Sequence, residues 1–101
     1  MRWAYGLLAL LLLSAACARP SGPQPPDIAY GKDTCVECGM IINDPRFAAA
    51  YVTRSGQARL FDDIGDMVVY HRKHPEEVAA FYVHDYATRA WIDATQAFFV
   101  Q

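Results

Sequence analysis

The chain has 101 residues, a formal net charge of −2 and 53% hydrophobic side chains. That length holds one small domain. The charge balance is mildly acidic and no basic patch with interleaved aromatics occurs, which excludes nucleic acid as a partner.

The first elements are not domain. In residues 1–16, MRWAYGLLALLLLSAA, Arg2 supplies a minimal positive start, Leu7 to Leu13 an apolar run, and Ser14, Ala15 and Ala16 a small-residue end. The run leads directly to Cys17 and resembles a bacterial lipoprotein signal, with Ser14 where a leucine is usual. The resemblance implies that Cys17 is acylated and becomes the mature N-terminus. Acyl chains hold a protein on a membrane, each buried CH₂ contributing roughly 0.8 kcal/mol. Residues 17–30 then form a proline-rich stretch, expected to be an extended tether.

Residues 31–101 are the expected folded domain, close to the lower size limit for an unaided core. Phe47 to Thr53 is an apolar run suited to a buried strand. Ser55-Gly56 marks a turn, and the alternating QARLF after it completes a β-hairpin. In DDIGDMVVYHRKHP, Ile64, Met67, Val68 and His71 recur at helical spacing. Asp62 or Asp63 caps the start of this helix, basic residues close it and Pro75 stops it. His71 and His74 are expected to face solvent or to cap. AAFYVHDY alternates as a third strand, with Phe81 and Val83 on one face and Tyr82 and His84 on the other. WIDA and AFFVQ are expected as two further strand pieces around a turn at Asp93 to Gln96. The order predicts an α+β fold, a ββαβ unit with one helix packed on a small, mainly antiparallel sheet. The apolar end at AFFVQ predicts a free edge open to pairing, or a chain that continues in its complete form.

The chemistry concentrates at DTCVECGMIIND, where Cys35, Cys38 and Met40 fall within six residues. Beyond the cytoplasm a small Cys35–Cys38 disulfide is one reading, though it would close only a tiny loop. A thioredoxin-like redox pair is another, but that pair sits between a strand and a helix, which the surrounding residues do not provide. Structural zinc takes four cysteine and histidine ligands. Thiolate with thioether is the ligand mix suited to Cu(I). Met67 and His84 are candidates to complete such a set, each with a competing role in the core or on a strand. Asp62, Asp63, Asp66, Asp85 and Asp93 are scattered over caps and turns, where aspartate is expected anyway. No catalytic set is visible: the domain's only serine, Ser55, lies in a turn without a base, and no glycine-rich phosphate loop occurs. A non-enzymatic role is therefore expected.

A lipoprotein-like signal followed in order by CVECGM, FAAAYV, LFDDIGDMVVY, YVHDY and WIDATQAFFV resembles the nitrous oxide reductase accessory lipoprotein family, NosL. The resemblance implies a Cu(I) chaperone tethered at the periplasmic face of a bacterial membrane. It also implies a copper-acceptor partner in nitrous oxide reductase assembly or a related maturation system. By position it implies copper ligands among Cys35, Cys38, Met40, Met67 and His84. Family members resemble two related ββαβ halves, of which this sequence matches the first. The reading set against it is a tethered structural module with a Cys35–Cys38 disulfide and no metal.

Overall fold

In the computed structural model of the protein, which describes residues 22–100, a hairpin, a helix and two further strands follow in chain order. Strand β1 is Ala49–Thr53 and β2 is Ala58–Phe61. Helix α1 is Ile64–Lys73, β3 is Val78–His84, and β4 is Trp91–Asp93, followed by a 3₁₀ turn at Ala94–Gln96. The four strands form one sheet in the order β2-β1-β3-β4, every neighbouring pair antiparallel. β2 and β3 therefore run parallel to each other on either side of β1, and α1 is the crossover between them. The expected α+β fold forms, with one helix on an antiparallel sheet.

Local chemistry accounts for each joint. At the hairpin turn, the Thr53 hydroxyl accepts from the Gln57 amide at 3.0 Å and pairs with Ser55 Oγ at 2.8 Å. Asp63 caps α1 by accepting from the Asp66 amide at 2.7 Å. Gly65 fits beside this cap because a Cβ there would lie 3.2 Å from the Asp63 carboxylate. The His74 amide closes the last turn on the Tyr70 carbonyl, immediately before Pro75.

Alternation along β1 sorts the sheet into two faces. Ala49 and Tyr51 join the core beneath α1 with Phe61, Met67 and Val83. Tyr51 is its centre, with ring centroids 5.6 Å from Phe61 and 5.6 Å from Phe81. A buried tyrosine hydroxyl needs a partner. Here it donates to Glu76, whose carboxylate also receives Arg59 through Nε at 3.0 Å and a second guanidinium nitrogen at 3.1 Å. This latch ties the chain after the helix to β1 and β2.

The helix face differs from the sequence expectation at two positions. Val68 is exposed, and Tyr70 packs in its place, 5.6 Å from Phe61. His71 is half-buried rather than solvent-facing. It stands edge-on to Tyr51 and Phe81 at 5.7 and 5.4 Å, and its Nε2 pairs with the Glu76 carbonyl. The aromatic rings of β1 and β3 pull the buried stripe round towards the bulkier side chains. AFFVQ also differs. Only Trp91–Asp93 pairs with β3, and from Ala97 the chain runs outside the sheet with Phe98 and Val100 exposed. Asp93 turns the chain away by accepting from the Thr95 amide and hydroxyl.

The second face of the sheet carries Ala50 and Tyr82, which are cross-strand partners and both buried. The described part of the proline-rich stretch reaches this face at Tyr82. The Tyr82 hydroxyl donates to the Pro23 carbonyl at 2.9 Å, and Ile28 packs against the core. At Pro23 and Ile28 this segment therefore touches the folded domain. The signal segment and Cys17 lie outside the described residues.

Candidate metal centre

The sulfur motif folds into a tight knuckle. Thr34 and Ile41 form an antiparallel bridge, the Cys35 amide donates to the Met40 carbonyl at 2.8 Å, and the Gly39 amide donates back to the Cys35 carbonyl at 2.9 Å. Reversing the chain this tightly puts Gly39 at φ +76°, in the left-handed region that favours glycine. The knuckle is pinned at two further points. The Val36 amide donates to the Leu60 carbonyl of β2 at 3.0 Å, and Glu37 pairs with Lys73 in the last turn of α1 at 2.6 Å.

This folding turns Cys35 inward and Cys38 outward. Cys35 is 2% exposed and joins the core cluster with Met67, whereas Cys38 is exposed; both are free thiols. The first turn of α1 brings Asp66 to the pair. The Cys35 thiol donates to Asp66 Oδ2 at 3.5 Å, and the Cys38 amide donates to Cys35 Sγ at 3.5 Å. One ligand atom from each of Cys35, Cys38 and Asp66 lies within 4.8 Å of the others. A single ion with metal–sulfur bonds of about 2.3 Å bridges such a gap.

The electrostatics of the cluster favour a cation. The Met40 amide acts to lower the pKa of the Cys38 thiol. Hydrogen bonding to Cys35, desolvation and the Asp66 side chain outweigh it and push the thiol up to about 11. Three groups that each carry negative charge when ionised are crowded together, so without an ion the proton stays on sulfur. A bound cation reverses that balance, because thiolates, not thiols, are ligands.

The five sequence-derived candidates do not all converge. Cys35 and Cys38 do. Met40 is in the same knuckle, with its backbone tied to both cysteines and its side chain exposed. Met67 lies one residue beyond Asp66, packed inside the core. His84 stands apart from the Cys35–Cys38–Asp66 group. Its Nδ1 pairs with the Ala48 carbonyl at 2.8 Å, its Nε2 with the Tyr30 hydroxyl at 3.4 Å, and its ring stacks on Trp91 at 3.7 Å. An open cavity of about 830 Å³ adjoins His84, between Phe47, Tyr86 and Phe99, and no residue of the sulfur knuckle lines it.

Asp66 is the site residue that sequence reasoning missed. Its position in a helix first turn has an ordinary explanation in the helix dipole. The distinguishing signal is that Asp63 already fills the capping role, which leaves the Asp66 carboxylate free for another partner.

No curated protein and no solved structure matches the chain. The NosL family model matches residues 28–101, a span that takes in the sulfur knuckle, all four strands and the helix. The chain accordingly belongs to NosL, a copper-binding family.

Proposed function

We propose that the protein is a Cu(I) chaperone, anchored by acyl chains on Cys17 at the periplasmic face of a bacterial membrane. On this reading it delivers copper to nitrous oxide reductase assembly or to a related copper-site maturation system. The observation that supports it best is the convergence of two free thiols beside an exposed thioether, in a knuckle closed by backbone hydrogen bonds.

Copper here is cargo, so the site has to bind it and give it up. Cys35 and Cys38 are the thiolate ligands, and Met40 is the thioether that joins them from the solvent side, a soft donor set suited to Cu(I). Asp66 is a hard oxygen donor and a poor match for Cu(I). Before copper binds, its carboxylate accepts from the Cys35 thiol and so holds that side chain at the site. The knuckle is fixed by its own backbone hydrogen bonds, by one to β2 and by the Glu37–Lys73 pair, so little ordering accompanies binding. One side of the ion stays open, because Cys38 and Met40 both face outward.

The test is delivery in cells. In a denitrifying host whose own copy is deleted, the copper content of purified nitrous oxide reductase should fall. The wild-type chain should restore it, and the Cys35→Ser/Cys38→Ser double variant should not. Full copper content without the chain, or restoration by the double variant, contradicts delivery through this site.

A further inference from the structure

The segment that leads from Cys17 into the domain is fastened to one face of the sheet at two places. The Tyr82 hydroxyl donates to the Pro23 carbonyl at 2.9 Å, and the Tyr30 hydroxyl pairs with His84 Nε2 at 3.4 Å. Tyr82 and His84 are two residues apart on β3, and Tyr82 is the cross-strand partner of Ala50, so both belong to the face turned away from α1. Trp91 shares that face as the cross-strand partner of His84, its ring 6.2 Å from that of Tyr82. The sulfur knuckle is on the other side. Cys35 packs with Met67 in the core beneath α1, and Glu37 is paired with Lys73 of that helix.

The fastening shortens the leash. Extended backbone spans at most about 3.6 Å per residue, so the chain from Cys17 to Pro23 reaches no more than about 22 Å. Unfastened as far as Ile28, it would reach about 40 Å. A compact domain of about 70 residues has a radius of gyration of about 11 Å, hence a width of about 28 Å. The short leash is narrower than the domain and cannot pass round it, whereas the long one can. We propose that the sheet face bearing Tyr82 and Trp91 is the membrane-facing surface of the anchored protein, opposed to the phospholipid headgroup layer, and that the fastening at Pro23 holds it there. This rests on the Cys17 anchor proposed above. Tyrosine and tryptophan suit the headgroup layer, and Tyr30 on this face is 38% exposed. The knuckle is then turned to the aqueous side.

Trp91 is the only tryptophan from Cys17 to Gln101, so its fluorescence reports on this face. The test takes the full acylated chain in phosphatidylcholine vesicles, some headgroups carrying a nitroxide, and reads quenching against unlabelled vesicles. Trp91 should be quenched at least about threefold more than the indole that Val36→Trp/Trp91→Phe places on the knuckle, a domain width further from lipid. Tyr82→Phe/Tyr30→Phe keeps both rings and removes both fastening hydroxyls. Each lost hydrogen bond lowers the fastened population roughly fivefold, so quenching of Trp91 should fall by at least about half. A flexible Gly-Ser insertion of about ten residues between Ala18 and Arg19 leaves the folded domain untouched and should lower it similarly. Equal quenching of the two indoles, or quenching of Trp91 unchanged by the insertion, would overturn the orientation. A dimer whose Trp91 resists the headgroup nitroxide would also overturn it, marking an interface between copies. Absence of acyl mass on Cys17 would instead remove the anchor on which the orientation rests.

Discussion

Met67 is the residue at which packing and ligation are most easily confused. Its side chain is 3% exposed, in one core cluster with Cys35, Tyr51 and Phe61. Truncation by Met67→Ala removes three heavy atoms from close-packed surroundings and should cost about 2–5 kcal/mol. For a domain of this size each kcal/mol lowers Tm by roughly 4–8 °C, so the metal-free protein should melt at least about 8 °C lower. Met67→Leu keeps the volume and should cost less than about 1.5 kcal/mol, while removing the thioether. The informative pairing is thermal melting of the metal-free variants with Cu(I) affinity measured under a competing chelator. With Met40 supplying the thioether of the proposed site, Met67→Leu should hold Cu(I) affinity within about threefold. A tenfold or greater loss with an unchanged melt would refute this reasoning and make the Met67 sulfur a ligand.

The Glu76 latch predicts acid sensitivity. Hydrogen bonds from Arg59 and then Tyr51 hold the Glu76 carboxyl down at about 2, against an ordinary value of 4.5. Its folded-state pKa is depressed, so its contribution is fully present above about pH 4.5 and is lost as pH falls towards about 2. Thermal melts across that window should drop steeply for wild type and less steeply for Glu76→Gln, and parallel curves would contradict the assignment. Cys38→Ser should leave the metal-free melt within about 2 °C of wild type, because the side chain is exposed. Cys35→Ser should lower it further, by placing a hydroxyl in the core; equal melts would refute the inward–outward division of the two thiols. Intact mass of membrane-extracted protein should show a chain beginning at Cys17 with added acyl mass, and a soluble product cut elsewhere would contradict the anchor.

The order of elements was legible because its signals are local. The hairpin, the Asp63 cap, the Pro75 stop and the alternation of Phe81 and Val83 against Tyr82 and His84 all follow from neighbouring residues. Tertiary effects were not legible. His71 looked like a basic C-terminal residue until the Tyr51 and Phe81 rings supplied a place for it. A proline-rich composition indicates an extended chain, but an extended chain can still lie on a sheet face and offer a carbonyl to Tyr82. AFFV had strand-like hydrophobicity, yet strand formation needs a partner edge, and the Asp93 turn leads this segment away from β3. At the site, the i, i+3 spacing of Cys35 and Cys38 was sufficient to pair them. Asp66 is 31 residues from Cys35, and only the seating of α1 against the knuckle brings the two within 3.5 Å. His84 was a reasonable ligand by residue type, but the strand that carries it places it against Ala48, Tyr30 and Trp91.

The most direct measurement is a Cu(I) titration of the fully reduced protein under a competing chelator, with Zn²⁺ titrated in parallel. The account predicts one Cu(I) per chain, bound at least 100-fold more tightly than by Cys35→Ser/Cys38→Ser, and more tightly than Zn²⁺, for which a thioether is a poor ligand. Prior oxidation of the two cysteines to a disulfide should abolish binding, since the thiolates are the ligands. Undiminished Cu(I) affinity in the double variant, or Zn²⁺ bound more tightly than Cu(I) through the two thiols and Asp66, would contradict it.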